Sequence, residues 1–248
     1  MSESPPSPSP MPRSVTETER KFRVHGLYRM PDLVDAGAVA AVDDLGVAVL
    51  DATYFDTDDL RLAREGITLR RRVGGDDEGW HVKLPVSSAG DARTREEVQL
   101  PLSASTSDDV PDELRHLVGV LVRTDALHPV ATLRTERHSY ALWPVVTTTE
   151  PAAPSSDAAD DEGNDPTPDQ AGDPVELDEP GEPTPVAVLT DDVVSVLDND
   201  ATMVARFREF ELEDNPDADP DDAVRTAAAV SSALVAAGAV TGEFVSKA

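Results

Sequence analysis

The β-prone runs of this chain carry their charges two residues apart, and that spacing constrains the fold more than any other feature. Side chains alternate faces along a strand, so residues i and i+2 stand on one side, about 6.5 to 7 Å from one another. Glu17, Glu19 and Lys21 share a face in the run 16–25, and Arg70 and Arg72 share one in 66–74, with Ile67 and Leu69 opposite. In 79–86, Lys83 faces away from Trp80, Val82 and Leu84. In 92–100, Arg93, Arg95 and Glu97 oppose Val98 and Leu100, and in 203–213 Glu209 and Glu211 oppose Phe210 and Leu212. Runs at 48–57, 131–143 and 185–197 complete eight strand candidates. Turn-rich connections at 74–79 and 197–201 make hairpins, so the sheet is expected to be antiparallel.

The charge balance sharpens this reading. The 248 residues hold 49 Asp and Glu against 21 Lys and Arg, a formal charge of −28, which repels nucleic-acid backbones and anionic membrane surfaces. No nucleic-acid partner and no membrane association are expected. The chain has no cysteine, no apolar stretch long enough to span a bilayer and a Ser/Pro-rich start in place of a signal core, so a cytoplasmic protein is expected. Yet 13 of the 21 cations fall within the strand candidates.

Two segments stand apart. Residues 1–13 contain five prolines and read as a disordered tail. Residues 147–185 hold 12 acids, 8 prolines and no Lys or Arg, and read as a disordered acidic insert between two paired strands of one domain spanning 14–248. Helices are expected at 31–44, 111–121 and 220–237. The last has Asp219 to cap it, Pro220 in its first turn and Gly238 to end it.

The expected fold is therefore α+β: an eight-stranded antiparallel β-barrel with peripheral helices. A barrel of eight strands can hold one small ligand. Charged faces turned inward put both signs of charge in the lumen, which is costly unless a bound group satisfies them. Arginine forks and lysines suit phosphate oxygens, and Glu-x-Glu pairs supply hard oxygen ligands for Mg²⁺. The plain alternative is a half-buried sheet whose charged outer faces are held by cross-strand ion pairs. The five histidines are scattered without metal-ligand spacing, and no Walker-type phosphate loop is present.

The pentapeptide Glu17-Thr-Glu19-Arg-Lys21 resembles the N-terminal signature of the CYTH family, the triphosphate tunnel metalloenzymes. In family order there follow Thr53-Tyr-Phe-Asp-Thr57, Leu69-Arg-Arg-Arg72, Trp80-His-Val-Lys83, Arg95-Glu-Glu-Val98, Thr135-Glu-Arg137 and Phe207-Arg-Glu209-Phe-Glu211. The resemblance implies a triphosphate tunnel with Mg²⁺ or Mn²⁺ as cofactor. It implies hydrolysis of inorganic triphosphate or short polyphosphate, with thiamine triphosphatase activity, class IV adenylyl cyclase activity or noncatalytic polyphosphate binding as alternatives. By the same resemblance, Glu17, Glu19, Lys21, Glu209 and Glu211 are catalytic, and Glu17, Glu19, Glu97, Asp192, Glu209 and Glu211 hold the metal. Lys21, Arg70, Arg72, Lys83, Arg95, Arg134 and Arg137 bind phosphate. Asp191 and Asp192 exchange roles on a one-residue slip, and Arg134 and Arg137 have opposite parity, so without a bulge only one of them faces the lumen. Thr135 stands where some relatives place a lysine base. Many bacterial relatives continue into a polyphosphate-binding CHAD domain, which this chain does not contain.

Overall fold

The computed structural model describes residues 11–105, 109–145, 184–198 and 201–241. The expected disordered tail, up to residue 10, and nearly all of the expected insert lie outside the described residues; Arg13 already opens the first strand. The strands are β1 (Arg13–Val24), β2 (Val39–Asp56), β3 (Thr68–Val73), β4 (Gly79–Ala89), β5 (Ala92–Leu100), β6 (His128–Pro144), β7 (Ala187–Leu197) and β8 (Met203–Asp214). They follow the order β5-β4-β3-β2-β6-β7-β8-β1, and β1 pairs back with β5, closing an antiparallel barrel. A two-residue strand, β9 (Val240–Thr241), adds to β1. β6 and β7 pair from Thr132 opposite Leu197 to Leu142 opposite Ala187, so the acidic segment joins the two arms of one hairpin.

Two apolar cores lie outside the wall, between strands and helices, and a smaller cluster of Ala52, Tyr54, Leu133 and Val194 stands on the inward face of β2, β6 and β7. Phe22, Leu142, Leu189, Phe210 and Leu212 pack beneath Ala227, Val230 and Leu234 of α4 (Pro220–Ala236). On another side, Phe55, Leu69, Trp80, Val82, Val98 and Leu100 pack against Leu62 of α1 (Arg61–Arg64), Leu114 of α2 (Asp112–Leu117) and Val122 of α3 (Gly119–Val122). Burying each such side chain contributes about 1.5–3 kcal/mol, which holds the wall in shape. As expected, Asp219 caps α4, its Oδ1 accepting the amides of Asp221 and Asp222 at 3.0 Å. No helix among the described residues is long and apolar enough to cross a membrane.

Two helix expectations need correction. Residues 31–44 form a single 3-10 turn, Val34–Ala36, ended by Gly37 at φ +83°, and Val39 onward belongs to β2. Pairing of Val39 to Asp44 with Pro144 to Tyr140 of β6 outweighs the helical preference of this Ala-rich run. The expected helix at 111–121 is broken at Val118 into α2 and α3. Asp56 is 1% exposed and accepts the amides of Thr57, Leu62 and Ala63 at 2.7 to 2.9 Å, fastening α1 to the end of β2.

The β3–β4 turn is wedged tightly. A Cβ on Gly74, at φ +90°, would lie 2.3 Å from the Val49 carbonyl oxygen, and one on Gly79 would lie 2.5 Å from that of Leu100, so only glycine fits either stem.

Candidate functional site

Inside the wall lies a cavity of about 180 Å³ lined almost wholly by charge. β1 contributes Glu17, Glu19, Lys21 and Arg23; β3 contributes Thr68, Arg70 and Arg72; β4 contributes Lys83. Arg93, Arg95 and Glu97 enter from β5, Arg137 from β6, and Glu209, Glu211 and Glu213 from β8. Asp192 of β7, fully buried, faces the same interior through Arg137. Thus twelve of the thirteen site residues expected from the sequence stand around one cavity.

Arg134 is the exception. The β6–β7 register runs without a bulge, so a residue three positions from Arg137 must face the other way. Its side chain is 59% exposed on the outer face and pairs with Asp51. The same parity rule separates the two aspartates: Asp192 meets Arg137 within, whereas Asp191 binds Arg208 outside. Glu213, Arg23 and Tyr54 line the cavity without having been singled out as site residues. Glu213 and Arg23 continue the alternation of their strands, and Tyr54 lies opposite Arg70. Asp77, in the turn, had no periodicity to reveal it.

Most charges oppose their counterparts in register. Glu17 stands opposite Arg95, Lys83 opposite Glu97, Lys21 opposite Glu211 and Arg137 opposite Asp192. Arg137 Nε and Nη2 donate to the two Asp192 oxygens at 2.8 and 2.6 Å, and Nη2 also donates to Glu211 at 2.9 Å. Two pairs break the pattern: Asp192 opposes Glu209, and Glu19 opposes Glu213. Like charges directly opposed are destabilising. The first pair, with Glu211, gathers carboxylate oxygens within 4.8 Å of one another, a hard-donor set that fits a divalent cation. Elsewhere the lumen offers donors: Arg70 Nε, Arg72 Nε and the Thr190 hydroxyl are buried with no hydrogen-bond partner among the described residues.

Burial and a shared hydrogen bond with Glu97 push the Glu17 carboxyl up to about 8, only partly offset by Lys83. Glu97, despite its own burial, is held well below the usual range by His81, Glu17 and Lys83. The folded state therefore binds the Glu17 proton more tightly than the unfolded chain does. That contribution is fully present below pH 4.5 and is lost as pH rises to about 8, whereas that of Glu97 is lost in acid. With divalent ions chelated, the melting temperature of Glu17→Gln is expected to decline less between pH 5 and 8 than that of the wild type. Identical slopes in thermal scans would show that Glu17 does not titrate in this window.

The profile of the CYTH domain matches residues 16–160. An uncharacterized protein of Mycobacterium tuberculosis, present in two strains, is 45% identical over 138 residues; the match covers 56% of this chain and 26% of the length of those relatives. Among solved structures, a candidate adenylate cyclase from Bacillus halodurans superposes with a TM-score of 0.51 at 14% identity, over 93% of this chain and 95% of that one, which shows a common fold. A candidate adenylyl cyclase from Hippeastrum, described as having a dominant triphosphatase activity, reaches 0.46 at 15% identity, over 93% and 92% of the two chains.

Proposed function

The chain belongs to the CYTH domain family, and from that premise we propose that its lumen hydrolyses inorganic triphosphate, or another short linear polyphosphate, to pyrophosphate and phosphate with the help of a divalent cation. The observation that carries this reading is the array of cations turned into the lumen. Lys21, Arg70, Arg72, Lys83, Arg95 and Arg137 surround one cavity, and two of those guanidinium groups keep an unpartnered Nε. A buried donor left unpaired is costly, and a phosphate oxygen satisfies it. The cations bind and align successive phosphoryl groups, so that water attacks the terminal phosphorus in line as the bridging P–O bond breaks.

The carboxylates suit the remaining requirement. Asp192, Glu209 and Glu211, with Glu19 and Glu17 nearby on β1, would hold Mg²⁺ or Mn²⁺, an ion that supplies charge neutralisation at the phosphoryl oxygens. The chain's own residues keep the substrate's remaining charge paired and the ligand oxygens fixed. Thr135, buried and on the inward face of β6, offers no basic nitrogen where some relatives carry lysine. That residue favours one second reading, a lumen that captures polyphosphate without cutting it. An organic substituent is less well served, because Tyr54 is the lone aromatic among the cavity-lining residues described and Trp80 lies in the outer core.

Phosphate release from triphosphate is expected to fall at least about a hundredfold in Glu19→Ala and in Arg72→Ala, by loss of charge stabilisation in a preorganised site. Each variant is compared with wild type by circular dichroism and by turnover of triphosphate, thiamine triphosphate and ATP with Mg²⁺ and Mn²⁺. Full activity in both correctly folded variants overturns the assignment; tight binding without release transfers it to capture; cyclic AMP formation transfers it to a cyclase.

A further inference from the structure

Arg72 differs from the other cations in already holding an anion that belongs to no strand of the lumen. Its side chain is 4% exposed; Nη2 donates to the Asp77 carbonyl at 3.0 Å and pairs with the Asp77 carboxylate. Asp77 sits in the β3–β4 turn and lines the cavity, with its side chain 54% exposed.

The two partners are unequal. The guanidinium is enclosed and needs an anion at all times, because a buried charge stripped of its partner is strongly destabilising. The carboxylate belongs to a half-exposed side chain at the surface turn and can rotate outward into water. The backbone beneath it cannot follow: Gly74 and Gly79 wedge the two stems, and His81 Nε2 donates to the same Asp77 carbonyl at 3.0 Å. Only the side chain is exchangeable.

We propose that Asp77 is an internal competitor for Arg72: its carboxylate holds Nη2 in place of a phosphate oxygen, and a phosphate chain that grips the guanidinium through Nη2 as well as the open Nε must displace it. Binding at this subsite is then an exchange of anions, not the filling of a bare cation. The exchange lowers affinity for substrate and product alike, and it keeps Arg72 paired as product departs. The inference rests on the phosphate reading of the lumen and adds a residue that sets how tightly that lumen holds its ligand.

Calorimetric titration with triphosphate and with pyrophosphate, each with and without Mg²⁺, tests it. Asp77→Asn and Asp77→Ser are expected to bind both ligands about tenfold more tightly than wild type, about 1.4 kcal/mol, and steady-state turnover is expected to fall with KM as product lingers. Asp76→Asn, which removes the same charge from the same turn, is expected to stay within about twofold of wild type, because a field effect of the exposed turn is largely screened. In an Arg72→Ala background, Asp77→Asn is expected to change nothing. Unaltered or weaker binding by the Asp77 variants, an equal gain in Asp76→Asn, or a gain that persists without Arg72 overturns the proposal. Absence of any triphosphate binding by wild type is a different result: it removes the phosphate reading, and this inference with it.

Discussion

Replacing Arg137 with alanine is expected to destabilise the protein by about 3 kcal/mol and to abolish triphosphate turnover. The guanidinium bridges Asp192, which is fully buried, to Glu211 by hydrogen bonds, and burial has not lowered its basicity because those carboxylates hold its proton in place. Removing it leaves Asp192 and Glu211, crowded together with Glu209, without the guanidinium that ties them to each other, although Lys21 still pairs with Glu211. The deficit is therefore expected to shrink when Mg²⁺ is added, a response that an ordinary packing defect does not show. Arg137→Lys keeps the charge but loses the fork that grips both Asp192 oxygens, and should fall between the two. Urea unfolding with and without Mg²⁺, alongside phosphate release, measures all of this. Unchanged stability in Arg137→Ala would mean that the acid cluster is not held together as described.

Trp80→Ala is expected to cost about 3–5 kcal/mol while leaving the chemistry of the folded fraction intact. Trp80 is 0% exposed and packs against Phe55 at a ring-centroid distance of 5.2 Å, in the core between the wall and α1 to α3. Its loss empties a volume that the neighbouring strands cannot refill. Because its side chain points away from the face that carries His81 and Lys83, KM for triphosphate measured well below the melting temperature should match wild type. A melting temperature close to wild type would place Trp80 outside the core; a large rise in KM would place it at the lumen.

Much of this architecture was legible because the charges themselves keep the period of a strand. Glu17 to Lys21, Arg70 to Arg72 and Glu209 to Glu211 mark their strands and the inward face of each at once. Where parity alone decided, as for Arg134 against Arg137 and Asp191 against Asp192, the register supplied the missing bit. The errors came where local preference and long-range pairing disagree. The Ala-rich end of the expected helix, 39–44, has the composition of a helix, yet it lengthens β2 because β6 is there to receive it. α1 spans only four residues and begins after Leu60 at φ 54°, too short for any periodicity to register. Asp77 reached the cavity through the shape of a turn, which pattern reading does not capture.

The barrel's two surfaces divide its obligations. The larger share of apolar burial lies in the outward residues beneath the helices, and most of the ligand chemistry in the alternate residues facing in. A descendant can thus exchange a lumen lysine for a threonine or one acid for another, so long as buried pairs such as Arg137 with Asp192 stay matched, and inherit a scaffold that still assembles. Such a lineage can drift from cutting a polyanion to merely sensing one without passing through an unfolded ancestor.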